Sequence, residues 1–315
     1  MIDGRPMIEL RKLHRNFGAT RAVDDVSFEV QRGQVFGYIG PNGAGKTTSM
    51  RILSTLDLPT LGDALVDGFS VIDDPDRVRR RLGFMPDYFG TYANVNVREY
   101  LDFFARAYQI RGRDRLVAVD RVMRFTGLCV LAEKPIAALS KGMKQRLCLG
   151  RALIHDPAVL VLDEPAAGLD PRARIELREM LRALAAEGKA ILISSHILTE
   201  LAEICDVVGI LERGRLLAVG TVEQIQAQGQ TPESLVEVRV LGGAGPLAAW
   251  LAQRGRSREL RINGDALAFL HPGGAEAEAD LLRAMIEAGF RVVAFGSRRR
   301  SLEDVFMQVT RGLVQ

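Results

Sequence analysis

The chain has 315 residues, 47% of them hydrophobic and 26% charged. This is ordinary globular composition, long enough for about two domains, and it excludes a disordered chain, a coiled-coil rod and a disulfide-stapled mini-protein. A formal net charge of +3 is too weak a field to argue, by itself, for a nucleic-acid partner.

The chain opens on MIDGRPMIEL, which lacks the apolar stretch of a signal peptide. Residues 34–39 (QVFGYI) read as a buried strand running into a glycine-rich turn. Residues 97–109 carry apolar side chains at helical spacing. The run AVLVL at 158–162 is continuously apolar, as is AILIS at 190–194, which suits strands covered on both faces. The first run is cut off by Asp163 and Glu164, far short of the ~20 residues of a membrane helix. Between these runs, Asp170 and Pro171 form an N-cap and first turn for a helix over 174–186. Strands alternating with helices predict an α/β domain with a largely parallel sheet. From about Thr221 the chain contains no Lys and balances Arg against Asp and Glu. There 235–241 and 260–270 read as strand-like, with turn clusters at 242–246 and 271–274. A helix over 276–289, a strand at 291–295 and a short helix after Ser301 complete a separate small α+β domain. Cys129, Cys148 and Cys205 are scattered and odd in number, which fits a reducing compartment and no zinc site. The expectation is a soluble, cytoplasmic chain with no membrane span of its own.

The chemistry begins at Gly40-Pro41-Asn42-Gly43-Ala44-Gly45-Lys46-Thr47, which fits the P-loop pattern. Its glycines let successive backbone N–H groups point at phosphate oxygens, and the following helix adds its positive end. Lys46 supplies a charge for the β- and γ-phosphates, and Thr47 a hydroxyl for Mg²⁺. No guanine-reading N-K-x-D element follows, which sets aside a Ras-like GTPase. The strand 159–162 delivers Asp163 towards the Mg²⁺ and Glu164 towards the γ-phosphate, where a water must be polarised. Taken alone, such a pair is also compatible with a helix cap.

Leu139-Ser140-Lys141-Gly142-Met143-Lys144-Gln145-Arg146 resembles the LSGGQ signature of ATP-binding cassette proteins. Together with the P-loop, LVLDEP, AGLDP (167–171) and SSH (194–196), in that order, residues 7–220 resemble a complete ABC nucleotide-binding domain. The form LSKGMKQR resembles the type-2 exporter branch, whose ATPase is a separate polypeptide, and SLEDVF (301–306) resembles the tail closing many of its members. The resemblance implies a P-loop NTPase fold: a RecA-like core, an antiparallel β subdomain and a helical subdomain at about 88–155. Residues 222–315 would form the accessory α+β domain.

The resemblance also implies roles. Phe17 would stack on adenine, against the alternative of core packing. Gly40 to Thr47, with Thr48, would cradle the phosphates. Ser140, Gly142 and Gln145 would belong to the signature that meets ATP held by a second copy, and Asp170 would bridge the two. Glu164 and His196 would be catalytic, whereas His14, His155 and His271 read as structural. Thr47, Asp163 and Asp87 would serve Mg²⁺. Two departures stand out: Asp87 replaces the family's Gln after 83–86, and Lys141 replaces the first signature Gly. The arginine runs at 77–81 and 298–300 read as solvated surface. The implied function is the ATP-binding and hydrolysing subunit of an export system, paired with itself or a paralogue, driving separate membrane subunits from the cytoplasmic face. The rival is a soluble ABC clamp acting on a ribosome or nucleic acid; the paired domains or long coiled coils of such proteins are not seen.

Overall fold

A computed structural model describes residues 5–88, 90, 94–197, 203–227, 233–255 and 257–299. The chain divides into two compact units, Met1–Thr221 and Val222–Gln315.

The first unit is built on a six-stranded sheet in the order β10-β9-β3-β8-β7-β6. Its strands are β3 (Val35–Ile39), β6 (Leu82–Met85), β7 (Val159–Leu162), β8 (Ala190–Ser195), β9 (Val207–Glu212) and β10 (Arg215–Gly220). All but β10 run parallel. Every residue of β3, β7 and β8 is buried, as continuous apolar runs require of strands covered on both faces. The register pairs Met85 with Leu162, Leu162 with Ile193, and Ile193 with Gly37. The segments leaving β3, β6, β7 and β8 therefore emerge at one edge, the carboxyl edge where α/β sheets bind ligands. Helix α1 (Lys46–Leu53) follows β3 after the loop 40–45.

A second, antiparallel sheet has the order β2-β1-β4-β5, from β1 (Ile8–Phe17), β2 (Thr20–Val30), β4 (Leu61–Val66) and β5 (Phe69–Ser70). Its buried Ile8, Leu10, Val26 and Phe28 share one core with Phe36 and Tyr38 of β3. The helix Pro75–Arg81, α2, precedes β6. The helical insertion comprises α3 (Val97–Ala107), α4 (Gly112–Phe125) and α5 (Lys141–Leu153). Asn96 and Glu99 close a capping box at the start of α3, with bonds of 2.8 and 2.9 Å. Val97, Tyr100, Leu101 and Ala105 form its buried face. Helix α6 (Pro171–Ala186) begins at Asp170, whose carboxylate accepts the Ala173 N–H at 2.9 Å.

The second unit opens with the helix Val222–Ala227 and continues over Glu233–Arg299 as a βαββαβ arrangement, a split βαβ fold. Its antiparallel sheet runs β12-β13-β11-β14, from β11 (Glu233–Val240), β12 (Arg258–Asn263), β13 (Ala266–Pro272) and β14 (Val292–Arg299). Alternate residues Val236, Val238, Leu267 and Phe269 bury against Leu247 and Leu251 of the helix Ala244–Arg254 and Leu281 and Met285 of the helix Ala275–Glu287. Three sequence expectations change here, the first at 271–274, where His271 and Pro272 pair with Ser234 and Glu233 as the end of β13 and leave only Gly273 and Gly274 to turn. The run 260–270 is not one strand but part of a hairpin, because Asn263 pairs with Ala266 across Gly264, whose φ of 59° suits a two-residue turn. The cluster 242–246 is a turn only at Gly242 and Gly243; Gly245 and Pro246 already belong to a helix, whose first turn tolerates the missing proline N–H. The SLEDVF segment and the helix after Ser301 lie outside the described residues.

Candidate functional site

The loop 40–45 joins a fully buried strand to α1, and its shape depends on glycine. Gly45 has φ 104°, and a Cβ there would lie 2.2 Å from the Ala22 carbonyl oxygen. Only glycine fits both the backbone angle and the space. Gly40, Ala44, Gly45 and Lys46 are buried, Thr48 is half-buried, and Pro41, Asn42, Gly43 and Thr47 are exposed.

Lys46 is 5% exposed, so its ammonium must be satisfied. It donates to the Gly40 carbonyl at 2.6 Å and the Pro41 carbonyl at 3.2 Å, and lies 3.7 Å from Glu164 Oε1. Burial pulls its pKa down, and the carboxylates of Glu164 and Asp163 oppose that.

Asp163 and Glu164 leave the end of β7, and Asp163 is 1% exposed. Burial raises the Asp163 pKa, the hydroxyls of Ser194 and Thr47 hydrogen-bond its charged form and lower it, and nearby Asp87 and Glu164 raise it. The Ser194 hydroxyl donates to Asp163 Oδ1 at 2.6 Å and accepts the Glu164 backbone N–H at 2.9 Å. Glu164 itself sits at φ 49°, the left-handed region that a branched or long side chain rarely enters. That turn aims its carboxylate at His196, whose Nδ1 lies 2.8 Å from Glu164 Oε2. A carboxylate only accepts, so in this contact Nδ1 is the donor. Thr47, Asp87, Asp163, Glu164, His196 and Lys46 are thus gathered at one sheet edge.

The signature residues stand elsewhere in the same unit. Ser140 caps α5, accepting the Met143 N–H at 3.3 Å. Position 142 would place a Cβ 3.5 Å from Ala173 and 3.7 Å from Leu169, so α5 begins against the turn that carries Asp170. Lys141 reaches over that turn: its Nζ lies 2.3 Å from where a Cβ on Gly168 would be. The bulk added by Lys141 is accommodated by a glycine at φ 67°. Gln145 is buried, and its Oε1 has no hydrogen-bond partner among the described residues. Phe17 is 50% exposed at the end of β1, which sets aside the core-packing alternative. His155 is structural: half-buried, stacked on Tyr108 at 3.7 Å and bonded to the Leu82 carbonyl at 3.1 Å, with its pKa pushed down to about 4 by burial. The arginines at 77, 79 and 81 pair with Asp74, Asp76 and Asp67, as a solvated surface does.

Sequence reasoning passed over Ser194. Its signal is a hydroxyl in a fully buried strand whose first four residues are apolar, where an unpaired polar group would be costly.

Fold and site together define a P-loop nucleoside triphosphatase. The sequence model of the ABC transporter family matches residues 23–167. The probable multidrug ABC transporter ATP-binding protein YbhF of Escherichia coli is 38% identical over 230 residues, covering 73% of this chain and 40% of that protein. This chain therefore spans less than half of that relative's length. The Nod factor export ATP-binding protein I of Ralstonia nicotianae is 34% identical over 98% of this chain and 95% of its own. A solved structure of an ATP-binding subunit of an ABC transporter superposes with a TM-score of 0.65 at 32% identity, covering 70% of this chain and 92% of that one. The chain belongs to the ABC transporter family, and the relatives it matches are named as its ATP-binding proteins. These relatives speak for the transporter reading over the ribosomal or nucleic-acid clamp.

Proposed function

We propose that the chain binds MgATP on the P-loop and hydrolyses it with Glu164 as general base, powering export through separate membrane subunits. The observation that carries this reading is the convergence of Lys46, Glu164 and His196, linked at 3.7 and 2.8 Å, on one sheet edge. Lys46 exchanges its loop carbonyls for phosphate oxygens, which offset its buried charge better. Glu164 accepts the proton of the attacking water, and the His196 Nδ1–H holds that carboxylate in place. Backbone N–H groups of the loop and the start of α1 hold the phosphates.

Thr47, Asp163 and Asp87 fit Mg²⁺, being hard oxygen donors around a buried carboxyl whose ionisation is disfavoured. Mg²⁺, when bound, neutralises phosphate charge there. The exposed start of α5, with Ser140 and Gly142, faces the ATP of a second copy or a paralogue, and Asp170 bridges the pair. Among the described residues no helix is long and apolar enough to cross a membrane. In this reading the chain sits peripherally at the cytoplasmic face, against permease subunits that meet the stretch from Asp87 to Tyr100. Residues 222–315 are accessory to ATP binding.

One experiment with two arms tests this. Glu164→Gln should lower ATP turnover at least a hundredfold while retaining ATP and trapping an ATP-bound dimer in gel filtration. The same substitution in a chain ending at Thr221 should still bind ATP. Near-normal turnover removes Glu164 as the base; a folded short chain that fails to bind ATP removes the accessory role of the tail.

A further inference from the structure

Beside Phe17 the usual order of burial is reversed. The Arg15 side chain is 23% exposed, while the apolar Phe17 is 50% exposed. Charged groups normally keep to water and rings to the interior. The arrangement makes sense where a flat apolar partner completes the covering of the ring.

The geometry is specific. The guanidinium carbon of Arg15 lies 4.4 Å from the centre of the Phe17 ring, covering one face. A ring covered on one side and bare on the other is about half exposed, as Phe17 is. Arg15 is itself held: its Nη2 pairs with Asp57 Oδ1 at 2.8 Å, and that same oxygen accepts the Leu58 N–H at 2.8 Å. Its Nε is buried without a hydrogen-bond partner among the described residues. The guanidinium plane is therefore set by stacking and by Asp57. The β1–β2 ladder shifts register on both sides of Arg15, the kind of irregularity that re-aims a side chain. The neighbouring backbone is clamped too, with Asn16 N–H donating to Thr60 Oγ1 at 3.0 Å and Thr60 N–H to the His14 carbonyl at 2.7 Å.

We infer that Arg15, braced by Asp57, is a positioning residue for the nucleotide base: it backs one face of Phe17 and presents the other as a fixed stacking platform. The inference rests on the reading of Phe17 as the aromatic that stacks on adenine. Its chemistry is twofold. The cation draws on the negative face of the ring, leaving the opposite face less repulsive to the π-cloud of a purine. The brace also fixes the ring before ATP arrives, so less side-chain freedom is lost on binding.

The test separates base from phosphate. Binding of MgATP and of inorganic tripolyphosphate, which has no base, is measured by calorimetry on the full chain. Arg15→Ala should weaken ATP about fivefold, the scale of one stacking contact, and leave tripolyphosphate within about twofold. Asp57→Asn should move ATP in the same direction by less, and Arg15→Lys should recover only part, since an ammonium cannot lie flat on a ring. Phe17→Ala is the control for the underlying reading. Loss of ATP selectivity in Phe17→Ala but not in Arg15→Ala overturns the role of Arg15 and keeps Phe17. No loss in Phe17→Ala overturns the stacking reading itself. Equal weakening of both ligands by Arg15→Ala also overturns the proposal, because a platform for the base cannot act on tripolyphosphate.

Discussion

The unit Met1–Thr221 buries Lys46, Asp163, Ser194 and Ser195 where its strands β3, β7 and β8 end. The unit Val222–Gln315 buries valine, leucine and phenylalanine along alternating strands, and among its described residues the one buried polar side chain is His271. Buried charge costs free energy that apolar packing does not. The first unit also packs Gly45, at φ 104°, against the Ala22 backbone carbonyl. Such choices persist where chemistry needs them, so the contrast separates a working site from a scaffold.

The sharpest way to break that contrast is through its glycines. Gly45→Ala forces a Cβ to within 2.2 Å of the Ala22 oxygen, a backbone atom that cannot swing aside, at a φ that alanine resists. Strain of about 1–3 kcal/mol precedes any relief of the clash. ATP affinity should fall about a hundredfold by titration, while the melting of the second unit, followed by calorimetry, should stay put. Normal ATP binding would mean that the loop is looser than its geometry.

A smaller effect is expected from Ser194→Ala. It removes the hydroxyl that donates to Asp163 and leaves the Glu164 N–H without its acceptor. An unsatisfied buried donor costs about 1–3 kcal/mol, so turnover should fall about tenfold or more. Because that hydroxyl lowers the Asp163 pKa, its loss moves the pKa further up. A higher pKa leaves more of the carboxyl protonated as pH falls, so the deficit in ATPase rate should widen on the acid side. A deficit that is flat with pH would show that Ser194 only holds backbone.

Much of this was legible in the sequence, and the reasons are local. Apolar runs ending in Gly40, Asp163 and His196 mark central strands whose edges carry function, because their period differs from that of a half-exposed strand. Asp170-Pro171 marks a helix start through hydrogen bonding within four residues. What was not legible depends on distant partners. Ser194 matters because β7 and β8 bring it to Asp163, 31 residues away in sequence. The contact between Lys141 and Gly168 needs α5 to dock beside the turn before α6. In the second unit the misread segments include the helix begun through Gly245 and Pro246 and the hairpin at Gly264, where turn residues serve different ends under different tertiary neighbours.

The smallest expected effect lies in the second unit and sharpens the contrast from the other side. Gly274 stands at the N-cap of the helix Ala275–Glu287 with φ −95° and ψ −161°, extended backbone open to any residue. A Cβ there meets nothing within 4 Å, and no side chain caps this helix end. Serine at this position can accept a backbone N–H of the first turn, which glycine cannot. The gain from glycine is only a few tenths of a kcal/mol, since glycine is itself a fair cap. In a unit of this size that is about 1–2 °C in melting temperature. Gly274→Ser should therefore raise the second transition slightly and leave ATP turnover unchanged. The same residue type would then be indispensable at 45 and improvable at 274, as expected if only the first unit holds its backbone for chemistry. A fall in the melting temperature, or a change in turnover, would show that position 274 is constrained by something other than the helix it begins.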